Sequence, residues 1–197
     1  MTGASAGTQN MNQLADDQLL IARIATQDRA ALRALMLHHQ VRVFRFLARR
    51  VRNDAIAEEL TNEVFAEVWL HAKKFEARSS VSTWLLSIAH NRMVSTLRKR
   101  REESWNEDQA NEIADTDDDP EVSAQKFDKG RIIRRCIDGL SPAHREIIDL
   151  VYYHEQSIAE VSNVLGIPEA TVKTRMFYAR KQLSEALKIL GIDRGWP

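Results

Sequence analysis

The chain has 197 residues, 28 Lys plus Arg against 28 Asp plus Glu, and 44% apolar residues. That length fits one or two domains with a true core, which excludes a disordered or collagen-like chain. Seven Gly, four Pro and one Cys leave little for the turns of a many-stranded sheet, no internal disulfide and no cysteine-rich zinc site. The short apolar runs and the polar start MTGASAGTQN point to a cytoplasmic protein with no membrane insertion.

The zero net charge hides an asymmetry. Glu102 to Glu121 carries ten acids and no Lys or Arg, so the rest of the chain holds 28 basic residues against 18 acidic ones. Two basic blocks are thus joined by an acidic strap. An acidic run between patterned blocks reads as a solvated, self-repelling linker. The sharper alternative is a DNA mimic that lies over a basic surface when the protein is idle.

In chain order, residues 1–12 are a polar tail. From Leu14 to Ala48 apolar residues recur at helical spacing: Leu19, Ile21, Ile24, then Leu32, Leu35, Met36, then Val43, Phe44, Leu47. Asn53-Asp54 marks a break. The spacing of Ile56, Leu60, Val64 and Val68 predicts an amphipathic helix over 55–75, flanked by Phe65, Trp69 and Ala72. Its other side carries Glu58, Glu59, Asn62, Glu63 and Glu67, a stripe fit to dock a basic partner helix. Some of these acids would also complement the helix dipole.

Residues 76–82 read as a loop, with Ser82 or Thr83 capping the next helix. Trp84, Leu85, Ile88, Met93 and Leu97 form its inward side. The 25 residues from Ala77 to Arg101 contain no acid, against Arg78, Arg92, Arg98, Lys99, Arg100 and Arg101. Cations interleaved with Ser, Thr, His and Asn fit contact with a polyanion, nucleic acid above all.

Beyond the strap, Ile132, Ile133, Cys136, Ile137 and Leu140 restore the helical pattern, with Cys136 in phase as a buried, inert thiol. Ser141-Pro142 starts another helix whose inward side is Ile147, Ile148, Val151 and Tyr152. Ser157 and Glu160 form a capping box, Gly166 supplies a left-handed C-cap, and Pro168-Glu169 opens a second helix. Two short helices around a glycine turn make a helix-turn-helix. From Ala170 to Ser184 the second helix has no acid but carries Lys173, Arg175, Arg180 and Lys181. Such a helix reads DNA from the major groove. Each His (38, 39, 71, 90, 144, 154) is read as a surface or packing residue, with His38 and His39 on different helix faces, and no nucleophile–base pair or metal-ligand cluster stands out.

These motifs carry a family resemblance. Leu140-Ser141-Pro142, Arg145-Glu146, Gly166-Ile167-Pro168, Thr171 to Arg175 and Ala179-Arg180 resemble the C-terminal DNA-binding domain of bacterial sigma factors of the extracytoplasmic-function branch. Ala57 to Phe65 resembles that family's polymerase-binding helix. Trp84-Leu85, Ile88-Ala89, Asn91 and Leu97-Arg98 resemble its promoter-melting helix. The matches run in the family's order over residues 14–190. Glu59, Asn62, Ser95, His90, Ala170 and Ser162 depart from its usual residues, the first two conservatively.

The resemblance implies an all-α chain of two small helical domains. They would be a tail at 1–12, a region 2 domain at 13–101, an acidic linker at 102–126, a region 4 domain at 127–191 and a tail at 192–197. Core RNA polymerase would be met through its flap and through the coiled coil of its largest subunit, the latter docking on Glu59, Asn62 and Glu63. Arg78, Ser79, Ser80, Trp84, Asn91, Arg92 and Arg98 would take the melted minus-ten strand of promoter DNA, a flipped base sitting in the 76–82 loop. Arg145, Glu169, Ala170, Thr171, Lys173, Thr174, Arg175, Tyr178 and Lys181 would meet the minus-thirty-five element. No cofactor, metal or catalytic residue is implied. The implied function is promoter-specific transcription initiation for a stress or envelope response, held in check by an anti-sigma protein wedged between the domains. Self-inhibition by the strap, through Asp115, Asp117, Asp118 and Asp119, is the competing form of control. A helix-turn-helix regulator that does not bind polymerase, and an all-α nucleic-acid-processing enzyme, are the readings from other classes.

Overall fold

The computed structural model describes the backbone of residues 15–106 and 124–190, and the side chains of 15–102 and 130–190. The tails and most of the acidic strap, with Asp115 to Asp119, lie outside these residues. Among the described residues every regular element is a helix, and none is long and apolar enough to cross a membrane. The main boundary between two compact units falls at Glu103.

In the first unit, α1 spans 15–24 and α2 spans Arg29–Val51. The apolar spacing is interrupted between them because Gln27 takes a left-handed φ of 67°. Asp28 then caps α2: its Oδ1 accepts from the amides of Ala30 at 2.8 Å and Ala31 at 3.1 Å. Arg23 holds the other oxygen, Nε donating to Oδ2 at 2.9 Å. The Arg23 hydrogen bond, with those backbone amides, holds the Asp28 carboxyl below its ordinary value. Arg52, at φ 48°, ends α2, and the Asn53 side chain caps α3, Asp54–His71, by accepting from Ile56 N at 3.1 Å. A 3-10 turn, Ala72–Lys74, leads to the loop before α4, Val81–Asn106.

The core of this unit is Leu20, Ile21, Ile24, Ala31, Leu35, Val43, Phe46, Leu47, Leu60, Val64, Phe65, Val68, Leu85, Leu86 and Met93. Two sequence expectations fail here: Leu19 and Leu97 are exposed, at 63% and 44%. Leu20 takes the inward place in α1, and Leu97 lies in the last turns of α4, where the neighbouring residues 98–102 are all exposed. The cap of α4 also differs. Ser80, not Ser82 or Thr83, accepts from the Thr83 amide at 3.1 Å, because the helix starts one residue earlier, at Val81.

The second unit contains α5, Ala124–Asp138, and α6, Pro142–Ile148, which continues into a single π turn, Asp149–Tyr153. Helices α7, Ile158–Leu165, and α8, Glu169–Ile189, follow. Ser141 caps α6, accepting from His144 N at 3.3 Å, with Pro142 at its first position. Cys136, Leu140, Ile148, Ala179, Leu183 and Leu187 make one core in which α5, α6 and α8 meet. Cys136 is buried there.

The π turn overturns one expectation. An extra residue per turn rotates the register, here closed by His154 N donating to Asp149 O at 3.1 Å. Asp149 and Leu150 therefore take the buried places, and Tyr152 turns outward to 40% exposure.

Candidate functional site

The helix-turn-helix is built from local signals. Glu160 N donates to Ser157 Oγ at 3.3 Å and Ser157 N donates to Glu160 Oε2 at 2.9 Å, a closed capping box at the start of α7. Gly166 ends that helix at φ 64°. A side chain would pay a strain cost at that angle that glycine does not. Ser162, a departure from the family's small apolar residue, has a use: its Oγ donates to Ile167 O at 2.6 Å and pins the turn.

Helix α8 then presents one polar face. Ala170, Lys173, Thr174, Phe177, Tyr178 and Lys181 are exposed and recur three, four, seven, eight and eleven residues on from the first, so they share one side. Val172, Ala179 and Leu183 are buried on the other. Glu169 and Lys173 form an ion pair at 3.4 Å, and Thr174 Oγ1 donates to Ala170 O at 2.9 Å. Thr171 and Arg175 are half-buried on the flank of this face. Sequence reading missed Phe177, which is 64% exposed and packs edge-on against Tyr178 with ring centroids 5.4 Å apart. A helical projection from Lys173 and Thr174 to Lys181 would have found it, because it falls between them.

Arg145 is held by backbone groups of its own unit. Its guanidinium donates to the carbonyls of Asp138 and, at 3.3 Å, Leu140, so it ties the turn after α5 to α6.

In the first unit, α3 exposes Glu58, Glu59 and Asn62, with Glu63 and Glu67 half-buried beside them. Next to Asn62 opens an apolar groove of about 700 Å³ between α2 and α3, lined among others by Leu32, Met36, Leu37, Phe65, Trp69 and Leu70. The loop before α4 holds Arg78 in a pair with Glu76. Ser80 Oγ meets Thr83 Oγ1 at 2.8 Å, and Ser79 Oγ donates to Ser80 O at 3.4 Å. Trp84 is half-buried and stacks at a tilt on Phe75, centroids 5.0 Å apart. Ala77 bends the loop at φ 54°.

Asn91, Arg92 and Arg98 are exposed on α4. Arg98 lies 3.9 Å from Glu102, one turn on. Arg92 instead crosses to α3: Nε donates to Glu67 Oε2 at 2.6 Å, and its second nitrogen is 3.7 Å from Glu63 Oε2. Two residues assigned to different partners, Arg92 and Glu63, are thus in contact. Among the described residues no group of three His, Cys, Asp or Glu is arranged to hold a metal ion.

Comparison with known proteins agrees with this geometry. Residues 35–103 match the model of Sigma-70 region 2, and residues 130–183 match Sigma-70, region 4. The chain is 33% identical over 190 residues to the ECF RNA polymerase sigma factor SigK of Mycobacterium ulcerans, covering 95% of this chain and 98% of that one. It is 31% identical to SigK of Mycobacterium tuberculosis, covering 88% and 95%. Among solved structures, CnrH in complex with the cytosolic domain of CnrY superposes with a TM-score of 0.64 at 21% identity, over 88% of this chain and 98% of that one. The sigma factor RpoE in complex with the anti-sigma factor NepR, from Bartonella quintana, gives 0.67 at 23% identity, over 80% and 96%. The order of the helices, the capped helix-turn-helix and the full-length likeness lead to one conclusion: the chain belongs to the ECF RNA polymerase sigma factors.

Proposed function

We propose that this sigma factor directs promoter-specific initiation by dividing the work between its two units. Glu59, Asn62 and Glu63 on α3 dock the basic coiled coil of core polymerase. The 76–82 loop with Trp84, Asn91, Arg92 and Arg98 captures the melted minus-ten strand, where cations and stacking repay the cost of unpairing. The exposed face of α8 enters the major groove of the minus-thirty-five element. There Lys173 and Lys181 balance phosphates while Thr174, Phe177 and Tyr178 reach base edges. The observation that carries the reading is the exposed face of α8 that bears Lys173, Thr174, Phe177, Tyr178 and Lys181, set behind the Gly166 turn.

Control by an anti-sigma protein fits the apolar groove beside Asn62, which would suit the apolar side of an amphipathic helix lying between the exposed acids of α3 and Arg29 and Arg33 of α2. Two proteins of the same fold were solved with partners bound, CnrH with the cytosolic domain of CnrY and RpoE with the anti-sigma factor NepR. Runoff transcription with purified core polymerase and the chain's own upstream DNA tests the proposal. A discrete transcript that requires the chain is expected, and transcription no different from core enzyme alone would refute it.

A further inference from the structure

Arg78 pairs with Glu76 and Arg98 with Glu102, close neighbours in the chain. Arg92 behaves differently. It reaches from α4 to two carboxylates on α3, one turn apart, at 2.6 Å from Glu67 and 3.7 Å from Glu63. Residues four apart lie on one helix side, and the planar fork of Arg has donors enough for both.

A phosphate approaching Arg92 in the free chain therefore meets two negative charges around the cation it must bind. A basic partner pairing with Glu63 from outside removes one of those charges. We propose that the Arg92–Glu63–Glu67 cluster is an autoinhibitory latch: it blunts strand capture by the free sigma factor and loosens when α3 docks on polymerase. This rests on the assignment of α3 to polymerase and of Arg92 to the strand. The coupling is reciprocal, so strand binding tightens polymerase binding by the same factor. All three side chains are partly exposed, and the effect is accordingly modest, about two- to fivefold.

The test measures fluorescence anisotropy of a labelled, A/T-rich DNA single strand with the full chain, alone and on core polymerase. Glu67 ends the acidic stripe of α3, so core affinity is measured alongside; with helicity kept, Glu67→Gln should raise the free chain's strand affinity about two- to fivefold. In an Arg92→Ala background the same change should give no gain, because the latch has no cation to release. On core polymerase the advantage of Glu67→Gln should shrink. Strand binding by the core-bound parent, with no gain for the free Glu67→Gln chain, overturns the latch alone. A gain that persists without Arg92 overturns it too, showing a general charge effect. If the core-bound parent binds no single strand, the strand-binding assignment fails and the latch with it.

Discussion

Asp17 Oδ2 and His39 Nε2 are 2.8 Å apart, and both residues are buried, at 3% and 6% exposure. His38 Nδ1 reaches the other oxygen at 3.2 Å, so one carboxylate on α1 gathers two adjacent imidazoles of α2. The neighbours do point differently, His38 outward and His39 inward, yet both converge on Asp17. The pair fastens α1 to α2 beside Ile21 and Ile24. Asp17→Ala strands the His39 nitrogen in the interior, at a cost of about 1–3 kcal/mol. Thermal unfolding should show a lower midpoint, and an unchanged one would mean that the contact adds nothing.

The same pair sets a pH dependence. Burial pushes the Asp17 carboxyl up, but the hydrogen bonds and charges of His39 and then His38 outweigh it and hold the group below the ordinary 3.8. A depressed carboxylate stabilises the fold above its unfolded pKa, and that stability is lost as pH falls through the folded one. The stability gap between parent and Asp17→Asn should thus close as pH falls below about 4. A gap that widens on acidification contradicts the sign.

How much of this was legible in sequence depended on how local each signal is. The capping box of Ser157 and Glu160, the Gly166 turn and the Ser141-Pro142 start are decided within four residues, and all three stand in the structure. The π turn at Asp149–Tyr153 is not encoded that way: an ordinary 3.6 period puts Tyr152 inside, and only the tertiary core selects Asp149 and Leu150 instead. The contacts of Arg92 with Glu67 and of Arg145 with the carbonyl of Asp138 likewise span 25 and seven residues. No periodicity of a single helix announces them.

Gly166→Ala separates backbone strain from packing. A Cβ at this position would meet nothing within 4 Å, so the φ of 64° alone sets the cost. A left-handed alanine costs roughly 1–2 kcal/mol. A lower melting temperature with promoter recognition retained is expected; a rise would show that the turn had shifted to another conformation.

Charge reversal on α3 tests polymerase docking. Glu59 is exposed and lies outside the Arg92 cluster, so Glu59→Lys changes the docking face without touching the latch. A central contact reversed in sign should cost at least about 2 kcal/mol, roughly thirtyfold in affinity for core polymerase. Adding Glu63→Lys should abolish co-purification with core while helicity stays normal. Full retention of both variants on core enzyme would remove α3 from the interface.

Helix α8 permits a sharper division of labour, because Lys173 and Phe177 share its exposed face while Arg175 sits half-buried on the flank. Lys173 can neutralise a phosphate, and its removal should weaken every DNA sequence alike and flatten the salt dependence by about one counterion. Phe177 carries no charge and releases no counterion. Its ring can instead meet a thymine methyl, so Phe177→Ala should cost about 1–3 kcal/mol at one base pair and leave the salt slope unchanged. Arg175→Ala should weaken binding less than Lys173→Ala, since part of its side chain is already spent against the protein. Binding isotherms on single-base variants of the upstream element, repeated over a salt series, resolve all three. If Phe177→Ala lowers affinity uniformly, the ring supports the helix and does not read the base. If Arg175→Ala is the most damaging of the three, the face of α8 that meets DNA is rotated toward that flank.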